Sequence, residues 1–303
     1  MKTITLGTRG SQLALWQANH ISDLILQHVI DIEVKIQVIH TSGDMIQDKP
    51  LPELGSKGIF TQELEDALFN EQIDIAVHSL KDLPSSLPDG LIYAGSSKRA
   101  DCRDAFISPT DLPFEDLPDG ARIATGSMRR KAQILEQNPK ISCGPLRGNI
   151  QTRLRKLKEE NWDGIFMAAA ALNRLGLKEY HPQLLDPEIF VPAVGQGAVG
   201  LEIKQSRLDI QEILNQIIDP DTVTTVTAER AFMRTLEGGC SIPIGAWGRL
   251  ESDALILTGY FASTDGQRVL RKTLKGSADA PDKLGIQLAH IFKADGVDSL
   301  IDR

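Results

Sequence analysis

Cysteine is scarce in this chain: Cys102, Cys143 and Cys240 are the three among 303 residues. They form no CxxC pair and no ligand spacing with histidine, so a zinc centre is not indicated. An odd count with no signal segment points to reduced thiols in a cytoplasmic setting. The opening run Met1-Lys2-Thr3-Ile4-Thr5-Leu6-Gly7 reads as a strand and not as an apolar signal core. Long hydrophobic runs are missing too, and none approaches the length that spans a membrane. Aromatic residues make up only 5%, which disfavours stacking surfaces for single-stranded nucleic acid. Positive charge is not in excess: the net charge of −8 argues against a nucleic-acid or membrane-surface partner. No P-loop or GxGxxG stands between a strand and a helix, so nucleotide binding is not favoured.

What is present is an ordinary apolar content of 41%, enough for well-filled cores, over a length that suits two or three domains. Thr3 to Leu6 predicts a strand. Ser11 can cap a helix with Leu13, Trp16, Ile21, Leu24, Ile25 and His28 on one face. Val34, Ile36 and Val38 alternate as a strand, Leu64, Ala67 and Leu68 mark a helix, and Ile73 to Val77 is β-rich. This βαβα rhythm predicts a largely parallel sheet covered by helices. After Pro84, Pro88 and Gly90 it restarts at Arg122-Ile123-Ala124. Ser127 can cap the next helix, with Met128, Ala132 and Leu135 inward; a helix over 149–160 and a strand over 164–168 follow. Gly7 to Ser11 and Thr125 to Arg130 echo each other, each between a strand and a helix, which suggests two similar α/β domains facing a shared cleft. The apolar, Gly-rich run Phe190 to Gly200 reads as a crossover between them. Beyond Pro220 come a helix from about Thr222 to Glu237, a hairpin across Thr264 to Gln267 and a final helix over 281–294, a small α+β domain.

Arg129 and Arg130 fall in the first turn of a predicted helix, the end where the helix dipole disfavours cations by about 0.3–1 kcal/mol each. A bound anion would remove the conflict. Arg9 and Arg147 stand before helices in the same way, Arg153 one turn into one, and Arg174 after a strand. Carboxyl ends of strands line the ligand crevice in α/β sheets, so these forks point to a ligand with several carboxylates or phosphates. The plain alternative is a set of solvated charges or pairs with the many acids. Asp82 sits where the chain leaves the strand Ile75 to Val77; it can steady a developing cation or move protons, or merely cap a turn before Pro84. Cys240 follows Gly238-Gly239, which lets a loop bring the thiol to a cleft, yet most lone cysteines are inert buried groups.

Seven runs together resemble the hydroxymethylbilane synthase (porphobilinogen deaminase) family in order and spacing. They are Leu6-Gly7-Thr8-Arg9, Ala76 to Asp82, Arg103-Asp104-Ala105-Phe106, Ser127 to Arg130, Leu146 to Asn149, Pro192 to Ala198, and Leu236-Glu237-Gly238-Gly239-Cys240. They span nearly the whole chain. The resemblance implies an α/β fold of two periplasmic-binding-protein-like domains around a cleft plus a small α+β C-terminal domain. The division is residues 1–98 with 199–216, then 99–198, then 217–303. It implies a transferase that condenses four porphobilinogen molecules head to tail on a dipyrromethane cofactor, thioether-linked to Cys240, and hydrolyses off hydroxymethylbilane in tetrapyrrole biosynthesis. Asp82 matches the family's catalytic acid. Lys81, Ser79, Thr125, Gly126, Ser127, Arg129, Arg130 and Arg153 match cofactor contacts. Arg9, Ser11, Arg147, Arg153, Arg174 and Gln196 match substrate contacts. A cytoplasmic monomer with no metal is the expectation, with Lys57 and Phe60 on a flap over the cleft. The chain departs from the family pattern at Ser56-Lys57-Gly58, Ala100-Asp101-Cys102 and Thr125 to Met128, none of which removes a catalytic residue. Two other readings stand beside it: a two-lobed binding protein, and Cys–His acyl transfer by Cys240 and His78.

Overall fold

The computed structural model describes residues 2–42, 61–237 and 242–300. Ser56, Lys57, Gly58, Phe60, Gly238, Gly239 and Cys240, all singled out from the sequence, lie outside the described residues. The chain divides into two compact units: Met1–Ala100 with Gly197–Val223, and Asp101–Gln196 with Thr224–Arg303.

In the first unit, strand β1 (Lys2–Thr8) leads through helix α1 (Gln12–His28) to β2 (Ile32–Val38). Helix α2 (Gln62–Phe69), strand β3 (Ile75–Ser79) and β4 (Leu91–Ser96) follow. Ile4, Leu6, Ile75 and Val77 are fully or almost fully buried, as strands covered on both faces require. Ser11 caps α1 as expected, its hydroxyl accepting from the Ala14 N–H at 3.2 Å. The buried face of α1 differs from the expected one: Ala14, Gln17, Ala18, Ile21, Ser22 and Ile25 go inward. The small Ala14 and Ala18 let the helix lie close on the sheet. Trp16 stacks on His20 at its flank, and His28 is exposed, its Nδ1 2.8 Å from the Leu24 carbonyl.

The second unit opens with β5 (Asp104–Ile107) and continues through β6 (Arg122–Ala124), α3 (Met128–Gln137), β7 (Ser142–Gly144) and α4 (Ile150–Glu159). It then runs through β8 (Gly164–Ala168), α5 (Ala169–Arg174) and β9 (Gln183–Leu184). The chain returns to the first unit as β10 (Val199–Lys204) and α6 (Leu208–Leu214). The two sheets share one plan, β2-β1-β3-β10-β4 and β7-β6-β8-β5-β9. In each, three parallel strands meet an antiparallel fourth, β10 or β5, laid down soon after the chain has crossed between units. The echo between Gly7–Ser11 and Thr125–Arg130 is thus one of topology, since both lie after the first strand of a β-α-β pair.

The rest of the second unit is the small α+β element. Helix α7 (Pro220–Thr235), whose first turn still belongs to the first unit, precedes an antiparallel sheet of β11 (Ile244–Glu251), β12 (Ala254–Ala262) and β13 (Val269–Ser277). Helix α8 (Pro281–Ala294) closes it. Phe232, Leu257, Phe261, Leu288 and Phe292 form its core. Gly285 lets α8 cross close to α7, because a Cβ there would stand 2.3 Å from the Ala228 carbonyl oxygen. The mixed α/β fold with a small C-terminal sheet-and-helix part is the fold class expected. Among the described residues, no helix is long and apolar enough to cross a membrane.

Candidate functional site

In the first unit, the polar positions gather where β1 and β3 end. Arg9 and Ser11 occupy the turn from β1 into α1, and Ser79 ends β3. A single 3₁₀ turn, Leu80–Asp82, follows, closed by Leu83 N–H donating to the Leu80 carbonyl at 3.1 Å. Backbone therefore makes the turn that the sequence allowed Asp82 to cap, and the Asp82 side chain is exposed. Arg9, Ser11, Gln17, His78, Ser79 and Asp82 line one pocket. Gln17 and Ser79 are joined side chain to side chain at 2.9 Å, which fixes the Ser79 hydroxyl in the pocket wall. Lys81 is half-buried in the same turn.

In the second unit, the junctions after β6 and β7 carry arginine, and Arg174 is the last residue of α5. Gly126 brings the two junctions together: a Cβ there would stand 2.6 Å from the Leu146 carbonyl oxygen, beside Arg147. The Thr125 hydroxyl accepts from Ser127 N–H at 3.2 Å, and the Ser127 hydroxyl caps α3 by accepting from Arg130 N–H. Asn149 caps α4, and Arg153 Nε donates to the Gly148 carbonyl at 2.8 Å. Arg147 and Arg174 are half-buried, and burial pushes both guanidiniums below their ordinary range, Arg174 to about 10.

Arg129 and Arg130 correct the sequence expectation. Met128 and Leu135 were expected on the inner face of α3; the buried side chains are Arg129, Arg130, Ala132, Gln133 and Ile134. The anion that two cations at a helix start require is Asp104, at the head of β5. Its carboxylate, fully buried, accepts from Arg129 at 2.7 Å and from Arg130 Nε and a terminal nitrogen at 3.0 and 2.7 Å. Gln196 Nε2 adds a fourth donor at 2.9 Å and also reaches the Cys102 carbonyl at 2.8 Å. Arg129 further donates to the Val191 carbonyl and Arg130 to that of Phe166. Burial alone would raise the Asp104 carboxyl, but the two guanidiniums outweigh it and hold it well below the usual carboxylate range. Arg129 Nε remains a buried donor without a partner.

Asp104 was in a run quoted from the sequence, yet its role was not read there. One signal was available: a carboxylate heading the apolar strand Asp104-Ala105-Phe106-Ile107 must find a buried cation. Glu229 of α7 was also missed. Fully buried, it accepts from Gly195 N–H and Gly248 N–H, both at 2.8 Å, and so ties the loop before Gln196 to β11. Glu229→Gln replaces one acceptor oxygen by an NH₂ that faces an N–H. We expect a loss of about 1–3 kcal/mol, seen as a lower melting temperature; an unchanged melt would show that the clamp adds nothing.

Paired α/β units with arginines at the carboxyl ends of parallel strands, and an exposed carboxylate in a polar pocket, define an α/β protein built to take a polyanionic small molecule. Comparison with known proteins narrows the class. Residues 4–212 match the family model "Porphobilinogen deaminase, dipyromethane cofactor binding domain", and residues 223–294 match "Porphobilinogen deaminase, C-terminal domain". The chain is similar to the porphobilinogen deaminase of Geobacter sp. (strain M21), at 44% identity over 98% of this chain and 93% of the relative. It is also similar to that of Desulfitobacterium hafniense, at 46% identity over 98% of this chain and 96% of the relative. A solved structure, a probable amino-acid ABC transporter extracellular-binding protein from Bacillus subtilis, aligns with 76% of this chain and 97% of its own, with a TM-score of 0.44 and 13% identity. The chain belongs to the porphobilinogen deaminase family.

Proposed function

We propose that this chain is a hydroxymethylbilane synthase, a transferase that joins four porphobilinogen molecules head to tail with loss of ammonia and releases the linear tetrapyrrole by hydrolysis. The observation that carries this reading is the placing of Arg9 and Arg147 at strand–helix junctions and of the half-buried Arg174 at the end of α5, since planar forks suit the acetate and propionate of each pyrrole.

The residues present fit an acidic dipyrromethane cofactor. Arg129 has a buried, unpartnered Nε, and Arg174 is a guanidinium whose charge burial opposes and a carboxylate would support. Bound through a thioether to Cys240, the dipyrromethane supplies the primer to which pyrrole units are added. Lys81, Ser79, Thr125, Gly126, Ser127, Arg129, Arg130 and Arg153 hold and orient it. Arg9, Ser11, Arg147, Arg153, Arg174 and Gln196 hold substrate carboxylates. Asp82 faces its pocket exposed and is the catalytic carboxylate. As ammonia leaves porphobilinogen, its carboxylate steadies the positive charge on the pyrrole nitrogen. It then takes the ring proton released once the new carbon–carbon bond has formed. A cytoplasmic monomer, with residues 217–303 as a separate cofactor-bearing domain, completes the reading.

The intact mass of purified protein tests it. We expect an excess of two deaminated porphobilinogen units over the bare chain, growing in equal steps with added porphobilinogen and absent in Cys240→Ser. A bare mass that never shifts, even after preformed hydroxymethylbilane is supplied, would overturn the reading.

A further inference from the structure

β3 and β10 run antiparallel in the first unit, with His78 opposite Gly200 and Ala76 opposite Glu202. His78 and Glu202 are therefore diagonal neighbours on one face of the ladder. Gly200, directly opposite His78, puts no side chain between them. The imidazole Nε2 lies 2.9 Å from the Glu202 carboxylate. Their side chains are 3% and 0% exposed. An ionisable pair taken this far from water demands a reason, since its desolvation offsets much of the attraction.

The reason lies in what β3 carries. One residue after His78 comes Ser79, then the turn that ends in Asp82, and His78 itself stands in the wall of the Asp82 pocket. The end of β3 is also held by the last pair of the ladder, Ser79 with Val199, and just past it by Leu80 N–H donating to the Ala198 carbonyl at 3.0 Å. Both of these are backbone contacts to β10 or to the residue that leads into it. The His78–Glu202 contact is a side-chain tie between the same two strands.

Glu65 of α2, 4% exposed, is the other acid of this enclosed space. Burial raises its carboxyl, and the charge of Glu202 raises it further, while His78 and Thr61 act in the opposite sense. Glu65 thus keeps its proton more readily than an ordinary acid, and Glu202 is the acid whose oxygen faces the imidazole. Glu202 has one oxygen on His78 and a second that is buried without a hydrogen-bond partner. With its other oxygen unpartnered, this fully buried acid is held at its side chain by the imidazole.

We infer that His78 and Glu202 form a buried positioning couple, in which Glu202, acting through His78, fixes the end of β3 from which Asp82 reaches its pocket. The inference rests on the proposed role of Asp82. The imidazole is the link and the carboxylate its anchor, so removal of either should do the same damage.

The test uses cofactor-loaded full chain and four variants: His78→Gln, Glu202→Gln, the double variant and Glu65→Gln. Turnover number, KM for porphobilinogen, melting temperature and loaded fraction by intact mass are read for each. We expect each single change at His78 or Glu202 to lower kcat by about tenfold or more, with KM and loading held within about twofold. The double variant should be no worse than the worse single, because one loss already breaks the couple. Glu65→Gln should stay within about twofold of the parent. Losses that multiply in the double variant would overturn the couple, as would a kcat that falls only in step with loading or melting temperature. A Glu65→Gln loss as large as that of Glu202→Gln would overturn the assignment of the anchor to Glu202. The two readings fail separately: an active Asp82→Asn removes the role of Asp82, whereas multiplying losses remove the couple.

Discussion

Asp82→Asn should leave a folded protein with its cofactor in place and lower kcat by about 10²–10⁴. The side chain is exposed, and the turn that carries it is closed by backbone, so stability should change by no more than about 0.5 kcal/mol. Asparagine keeps the shape and one acceptor oxygen. It loses the negative charge that steadies a pyrrole cation and the site that receives a ring proton. The damage should therefore fall on kcat, with KM for porphobilinogen little moved, because carboxylate binding is assigned to the arginines. Intact mass, melting temperature and steady-state rates on one preparation decide the matter. Normal bilane production by a fully loaded Asp82→Asn sample would remove Asp82 from the chemistry.

Strand–helix alternation was legible because each signal was local. Ser11 and Ser127 cap helices where the residues say so, and the hairpin of β12 and β13 follows from one turn. The antiparallel strands β5 and β10 were not legible. Each pairs with strands distant in sequence, Leu201 against Val77 and Asp104 against Ala168, and no local period records that. The face of α3 failed for a related reason. Periodicity counts apolar residues, and here the inward face bears two arginines whose counter-charge stands 25 and 26 residues earlier. Glu202 and Glu229 escaped notice in the same way: each is a lone acid in sequence and gains meaning only from partners 124 and 34 residues away. Motif runs picked out the residues proposed to face the ligand, whereas Asp104, Glu202 and Glu229 had to be found in space.

Asp104→Asn should be the most destabilising of the changes considered, because it strands two guanidiniums. Arg129 is 4% and Arg130 5% exposed, so water cannot replace the lost charge. Removing one side of such a buried cluster costs about 3–5 kcal/mol. At about 2–4 °C per kcal/mol for a domain of this size, that is on the order of 10 °C in melting temperature. The asparagine NH₂ would also confront donors from Arg129, Arg130 or Gln196. The pH dependence has a definite sign. The folded Asp104 carboxyl is held below its unfolded value of about 3.9, so its contribution is complete above that pH. It is lost as pH falls further, and the gap in melting temperature between parent and variant should close only below about pH 4. A gap already closing near neutrality would mean that Asp104 is not the anchor. A companion variant separates structure from function: Asp104→Leu with Arg129→Met and Arg130→Met replaces the cluster by apolar groups of similar bulk, which restores stability in such cases. If the arginines serve only to knit the second unit, turnover returns with the melting temperature. If they also hold the cofactor carboxylates, as proposed, the melting temperature recovers while turnover and cofactor loading do not.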